Sequence, residues 1–343
     1  MVGHRRGLVL SVRTVVLTIQ GAERIRAELD EIPEIDVVAR YELGGIKDPA
    51  VLARGLGGVE GPGGAWATIA ASEPYTREVF AAVPSLEAIF RWGTGSDAID
   101  IDAATDAGVA VITTPGVNAE AVADMALALM LACIRGLPGL DAAVRSGEWR
   151  ARGPSRDLAG ATVGVVGLGW IGRAVTRRVR AFGCRVLAVE PHADAEFCAA
   201  NAVELMDLET LLPQVDVLTL HAPLVAGTRG LIGASELALL PRHAVVINAA
   251  RGDLIDQPAL AAALSEGRIA AAGLDVFERE PVPPGDPILS APNAILSGHV
   301  SSYTELGMTR MGEAVLANLR EALAGRLPAS CQNPQAWDPS RRR

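Results

Sequence analysis

Three polar groups in the second half of the chain stand where apolar runs end. Arg251 follows Val245-Val246-Ile247-Asn248-Ala249-Ala250 and precedes Gly252, which is expected to free the turn. Carboxylates crowd the end of Gly273-Leu274-Asp275-Val276-Phe277-Glu278-Arg279-Glu280. His299 closes Ile295-Leu296-Ser297-Gly298 and leads into a Ser/Thr-rich turn. A guanidinium can hold a carboxylate through two parallel hydrogen bonds. An imidazole changes charge near neutral pH, so it can give or take a proton, and a carboxylate can hold it in place. Taken singly, each residue has a plainer reading: a structural ion pair, solvated loop charges, an ordinary loop histidine. Taken together they form the set that hydride chemistry on a small hydroxy acid needs.

A second constellation precedes them. Val163-Gly164-Val165-Val166-Gly167-Leu168-Gly169-Trp170-Ile171-Gly172 contains G-x-G-x-x-G. Among 36 glycines the motif alone is weak, but a β-branched run precedes it and a helical pattern, Arg173–Phe182, follows. Gly167 suits a tight turn, Gly169 a close approach to a pyrophosphate, and Gly172 close packing of helix on strand. The helix start then offers free N–H groups and a partial positive charge to phosphates. Glu190 lies 18 residues beyond Gly172 and ends the next apolar run. A carboxylate there accepts ribose hydroxyls and repels a 2′-phosphate. Pro191-His192-Ala193-Asp194 brings no arginine to receive one. The expected cofactor is therefore NAD rather than NADP.

These groups need strands that end where they stand. The spacing predicts strands at Val15–Ile19, Ile35–Ala39, Thr68–Ala71, Leu86–Arg91 and Val109–Thr113, with helices such as Ala22–Asp30 and Thr76–Val83 between them. Thr114-Pro115-Gly116 marks a crossing. Asn118 can then cap a long apolar helix reaching about Arg135, with Glu120 and Asp124 in its first turns. A second series follows, with strands at Thr162–Val166, Arg185–Val189, Val217–Leu220, Ala244–Asn248, Ala271–Leu274 and Ala294–Leu296. Thr304–Ala324 reads as a final helix. Alternating strand and helix predicts an α/β protein with parallel sheets. At roughly 150 residues per domain, 343 residues predict two domains.

Composition excludes other classes. The net charge is −9 and no dense Lys/Arg stripe is present, which argues against a nucleic-acid binder. Arg341 to Arg343 read as a frayed tail. Cys133, Cys184, Cys198 and Cys331 form no CxxC pair and have no histidines at ligand spacing, so free thiols and no metal are expected. His4, Arg5 and Arg6 before Leu8–Val12 loosely mimic a secretion signal, but Arg13 interrupts the run, and the first ~13 residues read as a loose extension. Met125–Ile134 is too short to span a bilayer. A cytoplasmic protein with no membrane partner is expected.

With these motifs in this order, the chain resembles the D-isomer-specific 2-hydroxyacid dehydrogenase family, which includes phosphoglycerate dehydrogenases and glyoxylate/hydroxypyruvate reductases. The resemblance rests on Gly167–Gly172 with Glu190, His221-Ala222-Pro223-Leu224, Asn248–Gly252, Asp275–Pro281 and His299, and runs from about Val15 to Leu327. It implies two doubly wound, Rossmann-like domains. The flavodoxin-like substrate domain is discontinuous, 1–116 with 304–343, and 117–303 is the inserted NAD-binding domain. It also implies a cleft that closes on a small 2-hydroxy or 2-keto acid, and a homodimer, a role that suits Ala119–Ile134, although burial in its own core suits that helix equally. By resemblance Arg251, Glu280 and His299 are catalytic: Arg251 orients the substrate carboxylate and carbonyl, His299 exchanges the proton, and Glu280 holds His299. Trp170 and Ile171 line the pyrophosphate turn. Ala222, Pro223 and Ala249 contact the dinucleotide, and Asp275 lies near the nicotinamide. Thr94 and Gly95, in Arg91-Trp92-Gly93-Thr94-Gly95-Ser96-Asp97, match a loop whose backbone meets substrate and cofactor.

Two departures bear on the substrate and the rate. Phosphoglycerate dehydrogenases usually carry cations in the loop matching Ala70-Ala71-Ser72-Glu73-Pro74. Ser72 and Glu73 stand here as candidate substrate contacts, and a carboxylate repels a phosphate. An unphosphorylated acid is expected, such as hydroxypyruvate, glyoxylate or a branched keto acid, with phosphoglycerate as the alternative; Glu73 pointing to solvent would remove the argument. With only a short stretch after the last helix, no C-terminal regulatory domain is expected. Gly298 stands where the family often has Pro, and is expected to loosen the turn that carries His299. Two rivals share the fold: a formate- or phosphite-type dehydrogenase, against which Glu280 argues, and an NAD-sensing corepressor-like scaffold.

Overall fold

The computed structural model describes residues 12–59, 64–149 and 155–338. The readings of the N-terminal extension and of the Arg341–Arg343 tail lie outside the described residues. The chain divides into two compact units, Met1–Asn118 with Glu305–Arg343, and Ala119–Thr304.

The first unit is built on a parallel sheet of β1 (Arg13–Leu17), β2 (Ile35–Ala39), β3 (Ala65–Ala70), β4 (Ala88–Arg91) and β5 (Ala110–Ile112), in the order β2-β1-β3-β4-β5. Every residue of β3 is buried. A strand covered on both faces has no polar side, so its apolar run does not alternate. The helix Glu305–Leu323 covers one face, placing Met308, Met311, Val315 and Leu319 in one core with Val15, Ile25 and Trp92. The tail beyond it reaches the edge strand β5. There Asn333, fully buried, accepts from Val111 N at 2.8 Å and donates to Val109 O at 2.9 Å.

Three expectations shift here, and the largest is β3, which starts at Ala65, three residues before its predicted start at Thr68. The first strand runs Arg13–Leu17, two residues earlier than predicted. The helix expected over Ala22–Asp30 is split into a 3-10 turn, Gln20–Ile25, and a short α-helix, Arg26–Asp30. Ile25, at φ −110° and ψ 12°, takes the non-helical junction between them.

The second unit holds seven parallel strands: β6 (Thr162–Val166), β7 (Arg185–Val189), β8 (Val203–Leu205), β9 (Val217–Leu220), β10 (Val245–Asn248), β11 (Ala271–Leu274) and β12 (Ala294–Leu296). Their order is β12-β11-β10-β9-β6-β7-β8. The chain returns to the middle of the sheet between β6 and β9, and ligands bind at such a switch point, beyond the carboxyl ends of the strands. The sequence predicted six strands. β8 escaped because it is a three-residue edge strand with exposed Glu204 and Leu205 and therefore no buried run.

The apolar helix Ala119–Arg135 buries Val122, Ala123, Ala126, Leu129, Met130 and Cys133, a helical stripe facing its own sheet. Gly273 on β11 permits this approach, because a Cβ there would stand 2.9 Å from Leu129 Cβ. Glu120 stands in the first turn as expected, and with Asp124 it also grips Arg178, at 2.8 Å and 2.7 Å, tying this helix to Trp170–Ala181. No single helix among the described residues is long and apolar enough to cross a membrane.

Candidate active site

The glycine-rich turn follows β6, and its glycines have distinct tasks. Gly167, at φ +94°, takes a conformation that L side chains rarely adopt. A Cβ on it would also strike the His221–Ala222 backbone at 2.7 Å. A Cβ on Gly172 would stand 1.9 Å from Gly167 O, so helix and turn meet there with no room for a methyl group. Gly169 faces open space at the head of the helix Trp170–Ala181, where the first N–H groups have no helical partner. Trp170, the first residue of that helix, is 68% exposed.

Glu190 leaves the end of β7 and turns back to this loop. Its Oε2 accepts from Leu168 N at 2.8 Å and its Oε1 from His192 N at 3.0 Å. On the other flank, β9 ends in His221, whose N–H donates to Val166 O at 2.7 Å. Its Nε2 lies 2.9 Å from Thr219 Oγ1, while Nδ1 is buried with no hydrogen-bond partner. Burial pushes this imidazole down to about 3, so it is neutral near pH 7.

The three remaining strand ends, β10, β11 and β12, are neighbours and carry Arg251, Glu280 and His299. Asn248, buried at the end of β10, closes the Arg251 turn. Its Nδ2 donates to Arg251 O at 2.8 Å and its Oδ1 accepts from Ala250 N at 3.1 Å. Arg251 Nη1 donates to Ala250 O at 2.7 Å. Gly252 acts differently from the expectation. It lies outside the left-handed region, and its need is space: a Cβ would stand 1.9 Å from Phe277 C. The missing side chain lets the Arg251 turn press against the loop that carries Glu280.

The crowded carboxylates sort into separate tasks. Glu280 Oε2 lies 2.7 Å from His299 Nδ1, and its Oε1 accepts from Phe277 N at 3.1 Å. An ionised carboxylate only accepts, so Nδ1 carries a proton toward it and Nε2 is the ring nitrogen left to face a substrate. Asp275, expected near the nicotinamide, is fully buried and gives its oxygens to the turn that bears His299. It accepts from Ser297 Oγ at 2.6 Å, Val300 N at 3.0 Å, Ser301 N at 2.9 Å and Ser301 Oγ. Its own carbonyl takes His299 N at 2.6 Å. Glu278 and Gln257 exchange backbone contacts at 2.9 Å and 3.2 Å, pinning the loop to the helix Gln257–Ser265. His299 sits at φ +56°, a conformation uncommon for a non-glycine residue and enriched at functional sites. With this turn held by Asp275, the looseness expected from Gly298 is opposed by at least four hydrogen bonds. Ser297 and Ser301 were legible only as a polar turn.

In the first unit, the loops after β3 and β4 lie side by side. Trp92 N donates to Ala70 O at 2.8 Å, and Thr94 Oγ1 donates to Thr114 O at 3.2 Å. Gly95 follows Thr94 in the same loop. Ser72 is half-buried, and Glu73, instead of pointing to solvent, is 0% exposed with no hydrogen-bond partner for either oxygen.

A family model described as the D-isomer specific 2-hydroxyacid dehydrogenase, NAD binding domain, matches residues 127–301. The chain belongs to this family. A glyoxylate reductase of Korarchaeum cryptofilum is 40% identical over 269 residues, 77% of this chain and 81% of that protein. A D-3-phosphoglycerate dehydrogenase of Methanocaldococcus jannaschii is also 40% identical, over 260 residues, 75% of this chain. The match covers 49% of that relative, so the chain spans about half its length. An NADPH-dependent glyoxylate/hydroxypyruvate reductase from Sinorhizobium meliloti, solved with NADP and malonate, shares 30% identity with a TM-score of 0.81, covering 95% of this chain and 98% of that one.

As a member of the family the chain carries an NAD-binding domain, and the residues present fit a dinucleotide. The open face of Gly169, the helix start behind it and the inward carboxylate of Glu190 form a cradle of the required chemistry. Ala222 and Pro223, after β9, and the buried Ala249, after β10, stand at strand ends flanking it.

Proposed function

We propose that this chain is an NAD-dependent oxidoreductase that interconverts an unphosphorylated D-2-hydroxy acid and its 2-keto acid. The observation that carries the reading is the 2.7 Å pair of Glu280, after β11, and His299, after β12, beside the strand end that bears Arg251. The nicotinamide cofactor, when bound, supplies or accepts the hydride. Arg251 holds the substrate carboxylate and polarises the carbonyl. His299, protonated and oriented through Nδ1 by Glu280, delivers a proton from Nε2 to the developing alkoxide, and takes it back in the oxidising direction. Asp275 acts through the turn it fixes. Glu190, Gly167, Gly169, Trp170, Ile171, Gly172, Ala222, Pro223, Ala249 and Thr94 hold the dinucleotide. Glu190 disfavours a 2′-phosphate and so sets the preference for NAD.

Residues 117–303 serve as the cofactor domain and 1–116 with 304–343 as the substrate domain. Ser72, Glu73, Thr94 and Gly95 form the substrate loops. The buried carboxylate of Glu73 supports an unphosphorylated substrate, since a phosphate beside it is repelled and no described residue donates a hydrogen bond to it. The 40% identical D-3-phosphoglycerate dehydrogenase favours the second reading, a phosphorylated substrate. The assay that decides between them is NADH consumption on hydroxypyruvate, glyoxylate, pyruvate, 2-ketoisocaproate and 3-phosphohydroxypyruvate. Turnover on an unphosphorylated acid supports the proposal, preference for the phosphorylated one overturns the Glu73 argument, and failure on all five with NADH still bound overturns the activity.

We also assign the protein as a cytoplasmic homodimer. The helix Leu137–Arg145 buries no residue, leaves Leu137 and Val144 exposed, and is followed by Trp149 at 80% exposure. An unpartnered apolar face of this kind fits a second copy. Sedimentation equilibrium should show a dimer that Leu137→Glu with Val144→Glu converts to monomer.

A further inference from the structure

The four residues after Glu190 contain no arginine, but the fold brings one to the same place from the helix Trp170–Ala181. Arg173 Nε donates to Leu168 O at 2.9 Å. The N–H of the same Leu168 donates to Glu190 at 2.8 Å. A guanidinium and a carboxylate thus hold the two backbone groups of one residue in the glycine-rich turn. The Arg173 guanidinium also lies over the Phe197 ring, 5.1 Å from its centroid, and its Nη1 pairs with Asp194 at 3.0 Å. Asp194 is itself fixed, since its other oxygen accepts from Phe197 N at 3.0 Å and caps the helix Ala195–Ala200.

NADP differs from NAD by a phosphate on the adenosine 2′ oxygen. A hydroxyl there is matched by an acceptor such as Glu190; a phosphate is matched by a guanidinium, whose planar fork binds two of its oxygens. Arg173 has the chemistry to take that phosphate. Asp194 opposes this twice, by occupying the guanidinium and by adding a second negative charge where the phosphate would arrive.

We propose that Arg173 and Asp194 form a second cofactor-discriminating pair beside Glu190, in which Asp194 withholds a guanidinium otherwise able to bind a 2′-phosphate. The proposal rests on the reading that Glu190 faces the adenosine ribose. It identifies a latent NADPH site, one charge away from use, in a chain set for NADH.

The test is a titration of NADH and NADPH read by dinucleotide fluorescence, with no substrate and no turnover. Asp194→Asn removes the charge and keeps a good helix cap, and Asp194→Ser is its companion. Asp194→Asn should tighten NADPH binding by about tenfold, the order expected of one charge-assisted contact, and leave NADH within about twofold. In a Glu190→Gln background the same change should bring the combined gain to about a hundredfold. Adding Arg173→Met should return NADPH affinity to that of Glu190→Gln alone, and raised salt should erode the gain. NADPH affinity that ignores the Asp194 charge in both backgrounds, or a gain that survives loss of Arg173, overturns the proposal while NADH binding stays normal. Failure of the unaltered chain to bind NADH overturns the reading of the cradle, and the proposal with it.

Discussion

Two carboxylates at strand ends, one in each unit, meet opposite conditions. Glu190, after β7, is half-buried and has both oxygens matched, by Leu168 N at 2.8 Å and His192 N at 3.0 Å. Glu73, after β3, is fully buried, and neither oxygen has a hydrogen-bond partner among the described residues. It also adds to burial in pushing the Tyr75 hydroxyl upward. Burying a polar group without a partner costs free energy, and a charge costs more. The proposed cofactor wall is therefore preorganised by its own backbone, whereas the proposed substrate loop carries an unmet demand. A group retained at such a cost is expected to serve a ligand and to lower stability while it does so.

The largest effect expected in testing that contrast comes from the turn behind Glu190. Gly172→Ala places a methyl group 1.9 Å from Gly167 O, and backbone cannot yield as a side-chain tip can. We expect about 3 kcal/mol of lost stability and NADH binding weakened by at least about tenfold; a calorimetric melt and a fluorescence titration measure both. Glu190→Ala should follow, with NADH affinity down roughly ten- to a hundredfold, the range of one to two hydrogen bonds to a charged group, and stability lower by about 1–2 kcal/mol as Leu168 N loses its acceptor. Glu73→Met should do the reverse, raising stability by about 1–2 kcal/mol while lowering kcat/KM on hydroxypyruvate. If both quantities rise, Glu73 serves no ligand and the contrast fails.

The last effect is one of pH and vanishes near neutrality. Burial pushes His221 down to about 3 from 6.5. Its folded state refuses a proton that the unfolded chain accepts, so its stabilising contribution is complete above about pH 6.5 and is lost as the pH falls toward 3. The slope is about 1.4 kcal/mol per pH unit in that window, and His221→Gln should flatten it in denaturant titrations between pH 6 and 4.

Much of this was legible in the sequence because buried parallel strands read as uninterrupted apolar runs, and five of the seven strands of the second unit match their expected bounds. The polar residues closing those runs were visible for the same reason. Less legible was what each carboxylate holds. Asp275, Glu278 and Glu280 look alike in the chain, but one fixes the His299 turn, one exchanges hydrogen bonds with Gln257 and one reaches the His299 ring. Gly252 was read as a turn residue when its task is close approach. Arg173 was missed at the ribose wall because helix geometry, not nearness in sequence to Glu190, delivers it there. The burial of Glu73 had no signal, since a charged loop residue beside a proline reads as solvated.

The most direct test of the central claim is turnover by His299→Ala with saturating NADH and hydroxypyruvate, alongside its NADH dissociation constant. Loss of a positioned acid–base group predicts a fall in kcat of about 10²–10⁴ with NADH affinity within about twofold of the unaltered chain. Near-normal turnover would contradict the assignment of His299 as the proton donor, and with it the proposed mechanism.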